Sequence, residues 1–272
     1  MLTLGSINLI MFDPVEYVNA RQGLGAWILG GLLVGWGTRM GNGCTSGHGV
    51  CGLPRFAPRS FAAVATFMGA GFAMATFRYY VPFFTGSLSS DETLKDVWRW
   101  VALGLFILGS AGAAFVIVAS GPKRTEMVVS YGLGLLFGVG LVVSGMCRIS
   151  KIQGFLIIGE PWDPSLIFVM MSAVLINVFT FNYILTKVPR PVLSGAEGKY
   201  VVPPRGQIDS RLVIGAALFG LGWGLSGLCP GPGVICFFSL TNAIVWVASL
   251  AVGQVAFDIA LEKYTKAHEK KA

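Results

Sequence analysis

The sequence predicts an all-α, polytopic membrane protein of about seven spans, with short broken or re-entrant helices meeting near the midplane. Three observations carry this expectation: an apolar composition with little charge, seven apolar runs of membrane-crossing length, and a glycine–cysteine pattern that occurs three times.

The composition comes first. Of 272 residues, 54% are hydrophobic and 12% charged, and a soluble domain carries roughly twice that charged fraction. Mean hydropathy is +0.70. The 37 glycines fall inside apolar stretches rather than in a polar or periodic tract. This balance leaves no room for a sizeable soluble domain. The net charge of +7 raises nucleic acid as a partner. The basic residues, however, lie in loops and in the terminal stretch KAHEKKA, beside no basic helix or aromatic platform. Loop bias for membrane orientation explains them, and a nucleic-acid role is not expected.

Seven apolar segments follow, at about 24–40, 59–80, 98–120, 127–146, 164–187, 211–228 and 243–262, each near the ~20 residues a spanning helix needs. Placing the C-terminus in the cytoplasm and alternating backwards puts 14 of the 20 Lys and Arg residues inside and the other 6 outside. The expected topology is therefore a multi-pass protein of the cell membrane with an outside N-terminus and a cytoplasmic C-terminus. Residues 1 to 12 are apolar, lack a basic leader and run into Asp13-Pro14; they read as an interfacial or partly inserted segment. The Pro-rich stretch 188–210 reads as a cytoplasmic linker.

The repeat is Gly-x-Gly-x6-Cys. It occurs as GWGTRMGNGC (Gly35 to Cys44), GVGLVVSGMC (Gly138 to Cys147) and GLGWGLSGLC (Gly220 to Cys229). The first and third copies also share a cysteine seven positions on, Cys51 and Cys236. Small residues that let membrane helices approach account for the glycines alone. They do not account for a cysteine at one offset three times in a chain with five. An internal structural repeat is expected. In the predicted topology the first and third copies enter from opposite faces, as in inverted repeats whose broken helices build a transport site.

The stretch GNGCTSGHGVCG (41–52) and the stretch GLCPGPGVIC (227–236) are poor regular helix. Glycine loses too much entropy there, and Pro230 and Pro232 lack backbone donors. Both are expected as breaks, which membranes tolerate only where protein or a water-lined cavity surrounds them. A neutral thiol at such a break is a weak, soft donor. It suits a polarisable, sulfur-bearing anion better than phosphate, and weak sites in series favour permeation. The candidate substrate-binding residues are Cys44, Cys147, Cys229 and His48, with Ser46, Gly47, Ser226 and Gly227 beside them. Cys51 and Cys236 form a secondary set, for which packing is the more common role of a buried membrane-helix cysteine. Arg39, Arg55, Arg148 and Lys151 are candidates for drawing an anion to the two mouths. No catalytic residue and no cofactor are expected. Cys44, His48 and Cys51 lack a local fourth ligand and have unusual spacing for zinc, so no metal is expected. There is no CxxC and no Walker A pattern.

Three segments resemble the YeeE/YedE family of sulfur-compound transporters, which includes thiosulfate uptake proteins. FDPVEYVNA…GLGAWILGGLLVGWGTRMGNGCTSGHGVCGLPR (12–55) is similar to the family's N-terminal unit. GLVVSGMCRISKIQGFLIIGEPWDPSLIFVM (140–170) and GAALFGLGWGLSGLCPGPGV (215–234) are similar to its second unit. The two units, separate small proteins in many bacteria, appear fused here as residues 1–120 and 121–272 of one integral membrane domain. The resemblance implies a compact helical fold with short broken helices meeting centrally. It also implies cysteines lining the path of thiosulfate, with Cys44 and Cys229 matching by motif. Cys147 stands where the second unit often reads Gly-Met-Thr. The expected function is uptake of thiosulfate or a related small sulfur-containing anion from one side of the lipid bilayer, with a cytoplasmic sulfur-handling protein as a partner. The competing reading is a membrane-embedded thiol enzyme, a sulfurtransferase or persulfide carrier.

Overall fold

The computed structural model of the chain describes residues 22–81, 83–84, 96–119, 124–159, 162–188, 191, 199–200, 206–237 and 241–269. Residues 1–12 and most of the expected linker at 188–210 lie outside them. Within the described residues the chain is helical throughout, with no strand. The long helices are α1 (Leu24–Gly41), α2 (Pro58–Tyr80), α3 (Asp96–Ala119), α4 (Arg124–Val143), α6 (Ser165–Lys187), α7 (Ser210–Ser226) and α9 (Thr241–Glu269). Short helices interrupt the series: a π-helical turn Thr45–Gly52 with a 3-10 turn Leu53–Arg55, then α5 (Ile149–Leu156) and α8 (Pro230–Cys236). These seven long helices coincide with the seven apolar runs to within a few residues at most ends. The last one continues past the apolar run to Glu269, where polar residues pair along the helix, as Lys266 does with Glu262 at 2.5 Å.

Among the described residues, length and composition alone make five stretches long and apolar enough to cross a membrane: Pro58–Tyr80, Arg124–Val143, Ser165–Lys187, Ser210–Cys236 and Asn242–Ala267. The protein is a multi-pass membrane protein. α6 shows what a lipid-facing helix needs. Leu166 is its buried residue, while Phe168, Leu175, Ile176 and Phe179 are exposed.

The core is a row of four helices in the order α9, α1, α7, α2. Glycines set their spacing. A Cβ at Gly222 of α7 would lie 2.8 Å from the Gly30 carbonyl and 2.8 Å from the Val34 amide of α1. A Cβ at Gly37 of α1 would lie 2.7 Å from the Gly215 carbonyl and closer still to the Phe219 amide of α7. Only backbone-on-backbone packing gives such contacts. Rising residue numbers on α1 meet falling numbers on α7, so these two helices are antiparallel. α2 runs parallel to α7, since Gly220 meets Phe67 and Gly224 meets Gly71. α9 runs parallel to α1, since Gly31 meets Trp246 and Gly253 meets Leu32 and Trp36.

A two-fold relation follows. Cys44 and Cys229 are 229 − 44 = 185 positions apart. The same offset carries Gly30 to Gly215, Val34 to Phe219 and Gly37 to Gly222. The contact of Gly37 with Gly215 and Phe219 is thus the mirror of the contact of Gly222 with Gly30 and Val34. The α1–α7 pair lies on the axis, and α9 on α1 corresponds to α2 on α7. α1–α2 and α7–α9 form an inverted pair of units.

Candidate functional site

The three repeat copies share one backbone feature. A long helix ends on a residue with positive φ, two positions before the cysteine: Asn42 at 56°, Gly145 at 76° and Gly227 at 66°. A left-handed residue just past the last turn closes a helix by letting the next amides reach back to orphan carbonyls. The Gly43 amide donates to Thr38 O at 3.0 Å and the Met146 amide to Leu141 O at 3.1 Å, the same offset before each cysteine. The Gly227 amide donates to Trp223 O at 2.7 Å. Glycine adopts this conformation without strain, and asparagine is the side chain that most readily substitutes for it.

The chain then turns extended at the cysteine and starts a short helix. Cys44 has φ −134° and ψ −166°, Cys229 φ −91° and ψ 157°. The carbonyl of Cys44 accepts from the His48 amide at 2.9 Å, and that of Cys229 from the Gly233 amide at 2.8 Å. Cys147 differs by one residue, because the short helix after it is capped by Arg148.

The breaks meet. The Thr45 hydroxyl, from the first break, donates to the Cys229 sulfur in the third at 3.6 Å. The Cys236 thiol donates to the Cys147 carbonyl in the second at 3.5 Å. Cys147, Cys229 and Cys236 belong to one buried apolar cluster, and Cys44 packs against it half-buried. Cys51 is exposed. None of the five cysteines is in a disulfide. Cys229 is 2% exposed and Cys147 1%.

The other sequence candidates separate by geometry. Ser46 stays beside the thiol, its hydroxyl 3.2 Å from the Cys44 sulfur. Gly47 faces open space. His48 is buried, with Nε2 3.2 Å from the Gly41 carbonyl and Nδ1 3.3 Å from the Ser60 hydroxyl. A carbonyl only accepts, so Nε2 carries the proton and Nδ1 accepts from Ser60. The ring ties the end of α1 to the start of α2 behind Cys44. The Ser226 hydroxyl donates to Gly222 O at 2.8 Å and accepts from the Trp246 indole at 3.0 Å. Its carbonyl accepts from Gln22 at 3.1 Å. Ser226 is thereby engaged in joining α7 to α9 and to the entry of α1. Gly227 holds its turn against Ile149 and Gln153 of α5.

Among the proposed mouth cations, two are neutralised. Arg39 pairs with Asp258 at 2.6 Å and Lys151 with Asp163 at 2.7 Å. Arg55 and Arg148 are both half-buried, Arg148 directly after Cys147. Among the described residues, no group of three His, Cys, Asp or Glu side chains could hold a metal ion.

Sequence reasoning missed Thr45, the residue that links two breaks, and Asn177, whose amide reaches from α6 to the Val50 carbonyl at 3.1 Å. An amide in the middle of an apolar span was the available signal for Asn177.

Residues 13–74 match a family model described as sulphur transport, and residues 125–270 match a family of unknown function, DUF6691. A probable transporter of Xylella fastidiosa strain Temecula1 is 37% identical over 135 residues, 49% of this chain and 88% of that protein. A second probable transporter of the same strain is 50% identical over 68 residues, 25% of this chain and 50% of its own. The chain belongs to the YeeE/YedE family of sulfur-compound transporters. The probable transporter YedE of Escherichia coli K12 is 28% identical over 215 residues, 74% of this chain and 48% of YedE. No solved structure matches the chain. Within this YeeE/YedE protein, the sulphur-transport match covers α1, the first break and most of α2. The match to the family of unknown function spans the other two breaks and Cys147 and Cys229.

Proposed function

We propose that the chain takes up thiosulfate, or a closely related sulfur anion, along a path bordered by Cys44, Cys147 and Cys229. The observation that carries this reading is the Thr45–Cys229 hydrogen bond, which joins two breaks that enter from opposite ends of an inverted frame. Thiols in a dry interior stay neutral and offer soft S–H donors. Successive weak contacts let an anion be held and released. The sealed position of Cys147 and Cys229 favours passage over sulfur transfer to a soluble acceptor, which needs an approachable thiol.

The N-terminus lies outside and the C-terminus in the cytoplasm, as the Lys and Arg distribution supports. Two units, 1–120 and 121–272, make up the membrane domain, and the two separate family matches support a division near that point. Inward movement of a dianion against an inside-negative potential costs about 2.3 kcal/mol per charge per 100 mV. Consumption of the anion by a cytoplasmic sulfur-handling protein would maintain the gradient that offsets this.

The test is uptake of radiolabelled thiosulfate by cells that depend on this chain, with growth on thiosulfate as sole sulfur source in parallel. Cys44→Ala, Cys147→Ala and Cys229→Ala are expected to abolish or strongly reduce uptake at unchanged membrane abundance, while Cys51→Ala retains it. Full uptake by Cys229→Ala would end the proposal.

A further inference from the structure

The two long helices on the axis each end three residues before a cysteine: α1 at Gly41, before Cys44, and α7 at Ser226, before Cys229. The offset of 185 relates Gly41 to Ser226 as it relates the two cysteines. Each of these terminal carbonyls accepts from an N–H of a buried side chain. The Gly41 carbonyl takes His48 Nε2 at 3.2 Å, and the Ser226 carbonyl takes Gln22 Nε2 at 3.1 Å. His48 is 8% exposed and Gln22 4%. The two donors are not copies of one another. The offset carries His48 to Gly233, and Gln22 to Gln207, which is exposed. Repetition of the backbone does not produce this match; a requirement at each carbonyl does. The Gln22 amide meets that requirement although its Oε1 is left buried without a hydrogen bond, and an unmet buried acceptor is unfavourable. Turned over, the amide would set Oε1 against the carbonyl oxygen, acceptor facing acceptor. The carbonyl next in line on α7, that of Leu225, accepts from the Arg78 guanidinium of α2 at 2.7 Å.

We infer that Gln22 and His48 are positioning residues that cover the carbonyl ends of α7 and α1, so that the breaks admit an anion rather than a cation. The inference rests on the transport reading above and accounts for its charge selectivity. The C-terminal end of a helix carries about half a negative charge, on carbonyls that have no amide partner. Left open beside a break in a membrane helix, such carbonyls coordinate cations and repel anions. α1 and α7 are antiparallel, so the frame has one such end at each of the two breaks. An N–H laid on the last carbonyl opposes its partial charge and occupies a direction in which a cation would bind. Arg78 adds a full positive charge at the α7 end. Neither Gln22 nor His48 has to touch the anion, because each acts through the carbonyl it covers.

The test uses the similar reach of the two side chains, whose Nε2 atoms stand at nearly the same distance from Cα. Gln22→His and His48→Gln keep an N–H donor, whereas Gln22→Met and His48→Met remove it. Ser60→Ala takes away the Nδ1 partner of His48 and leaves the Gly41 contact in place. Uptake of radiolabelled thiosulfate is measured against concentration in whole cells, with membrane abundance quantified. Each Met chain is expected to show a KM raised about three- to thirtyfold, the range for charge effects at partly buried helix ends. Its maximal rate should stay within twofold. The two exchanges and Ser60→Ala should keep the native KM. A Met chain with native KM, or an exchange that raises KM as far as Met does, overturns the inference. Where a Met chain fails to reach the membrane, Arg78→Gln takes its place, since it lowers the charge at the α7 end and keeps a donor; its KM must rise at an unchanged maximal rate, and a native KM overturns the inference. If the unaltered chain takes up no thiosulfate, the transport reading itself fails, and this inference fails with it.

Discussion

Gly222→Ala tests whether the two units are held by backbone contact between α1 and α7. A Cβ at 222 would stand 2.8 Å from both the Gly30 carbonyl oxygen and the Val34 amide nitrogen, where ordinary contact begins at 3.4 Å. The deficit is 3.4 − 2.8 = 0.6 Å, and backbone has no rotamer by which to yield. The helices must therefore part by about 0.6 Å, with an overpacking cost of ~1–3 kcal/mol. The Thr45–Cys229 contact bridges the same two units at 3.6 Å. Added to that distance, the displacement gives about 4.2 Å, too long for a hydrogen bond to sulfur. Loss of both thermal stability and uptake is expected. Gly37→Ala, at the mirror position, is expected to do at least as much harm, since its nearest contacts are closer. Gly134 of α4 has nothing within 4 Å of a Cβ. Gly134→Ala should gain up to ~1 kcal/mol of helix propensity. Thermal unfolding followed by size-exclusion of detergent-solubilised protein reads all three. A melting temperature for Gly222→Ala at or above native, or an equal loss for Gly134→Ala, would refute the reasoning.

Three further outcomes are expected. Thr45→Val keeps the side-chain volume and removes the hydroxyl that reaches Cys229; uptake should fall severalfold, matching a hydrogen bond of ~0.5–1.5 kcal/mol, with the unfolding temperature little changed. Asn177→Leu leaves the Val50 carbonyl of the π-helical turn without the amide that bonds it; stability should drop by ~0.6–2 kcal/mol, and maleimide labelling of exposed Cys51 in the same turn should quicken. Asp163 is held down from 3.8 to about 2, first by its hydrogen bond from Lys151 and then by the Ser165 amide. A carboxyl depressed in the folded state stabilises above its unfolded pKa and loses that contribution as pH falls through the folded value. Asp163→Asn should therefore melt below native at pH 5, and the gap should close as pH falls towards 2.

Much of the frame was legible because membrane-spanning helices advertise themselves. A run of about twenty apolar residues has few alternatives, so each long helix lies where hydropathy placed it. The breaks were also legible, since Pro230, Pro232 and the glycines of 41–52 cannot sustain a regular helix. The type of break was not. Thr45–Gly52 forms a π-helical turn while the matching Pro230–Cys236 forms an α-helix, and glycine content does not distinguish them. Glycine spacing likewise did not say which glycines touch. Gly37 and Gly222 press on a partner backbone, whereas Gly140, the equivalent position in the second copy, has nothing within 4 Å. Arg39 and Lys151 looked like free cations in sequence, because their partners Asp258 and Asp163 lie on other segments.

The two-fold frame does not extend to the side chains at its centre. The offset of 185 that maps Cys44 onto Cys229 also maps Thr45 onto Pro230, His48 onto Gly233 and Cys51 onto Cys236. Thr45 has a hydroxyl to send across to Cys229, and Pro230 has nothing to send back to Cys44. Cys44 instead bonds Ser46 within its own turn. His48 braces the first break against α2 through Ser60, while the Gly233 position leaves space that the ring of Trp246 occupies, within 2.9 Å of where a Cβ would stand. One thiol is therefore half-buried on a braced polar turn, and its mate is sealed in the apolar core. The two breaks are thus related by position but differ in backbone and in lining. On the transport reading, Cys44 is the station an anion shares with water, and Cys229 the one it reaches only after shedding it.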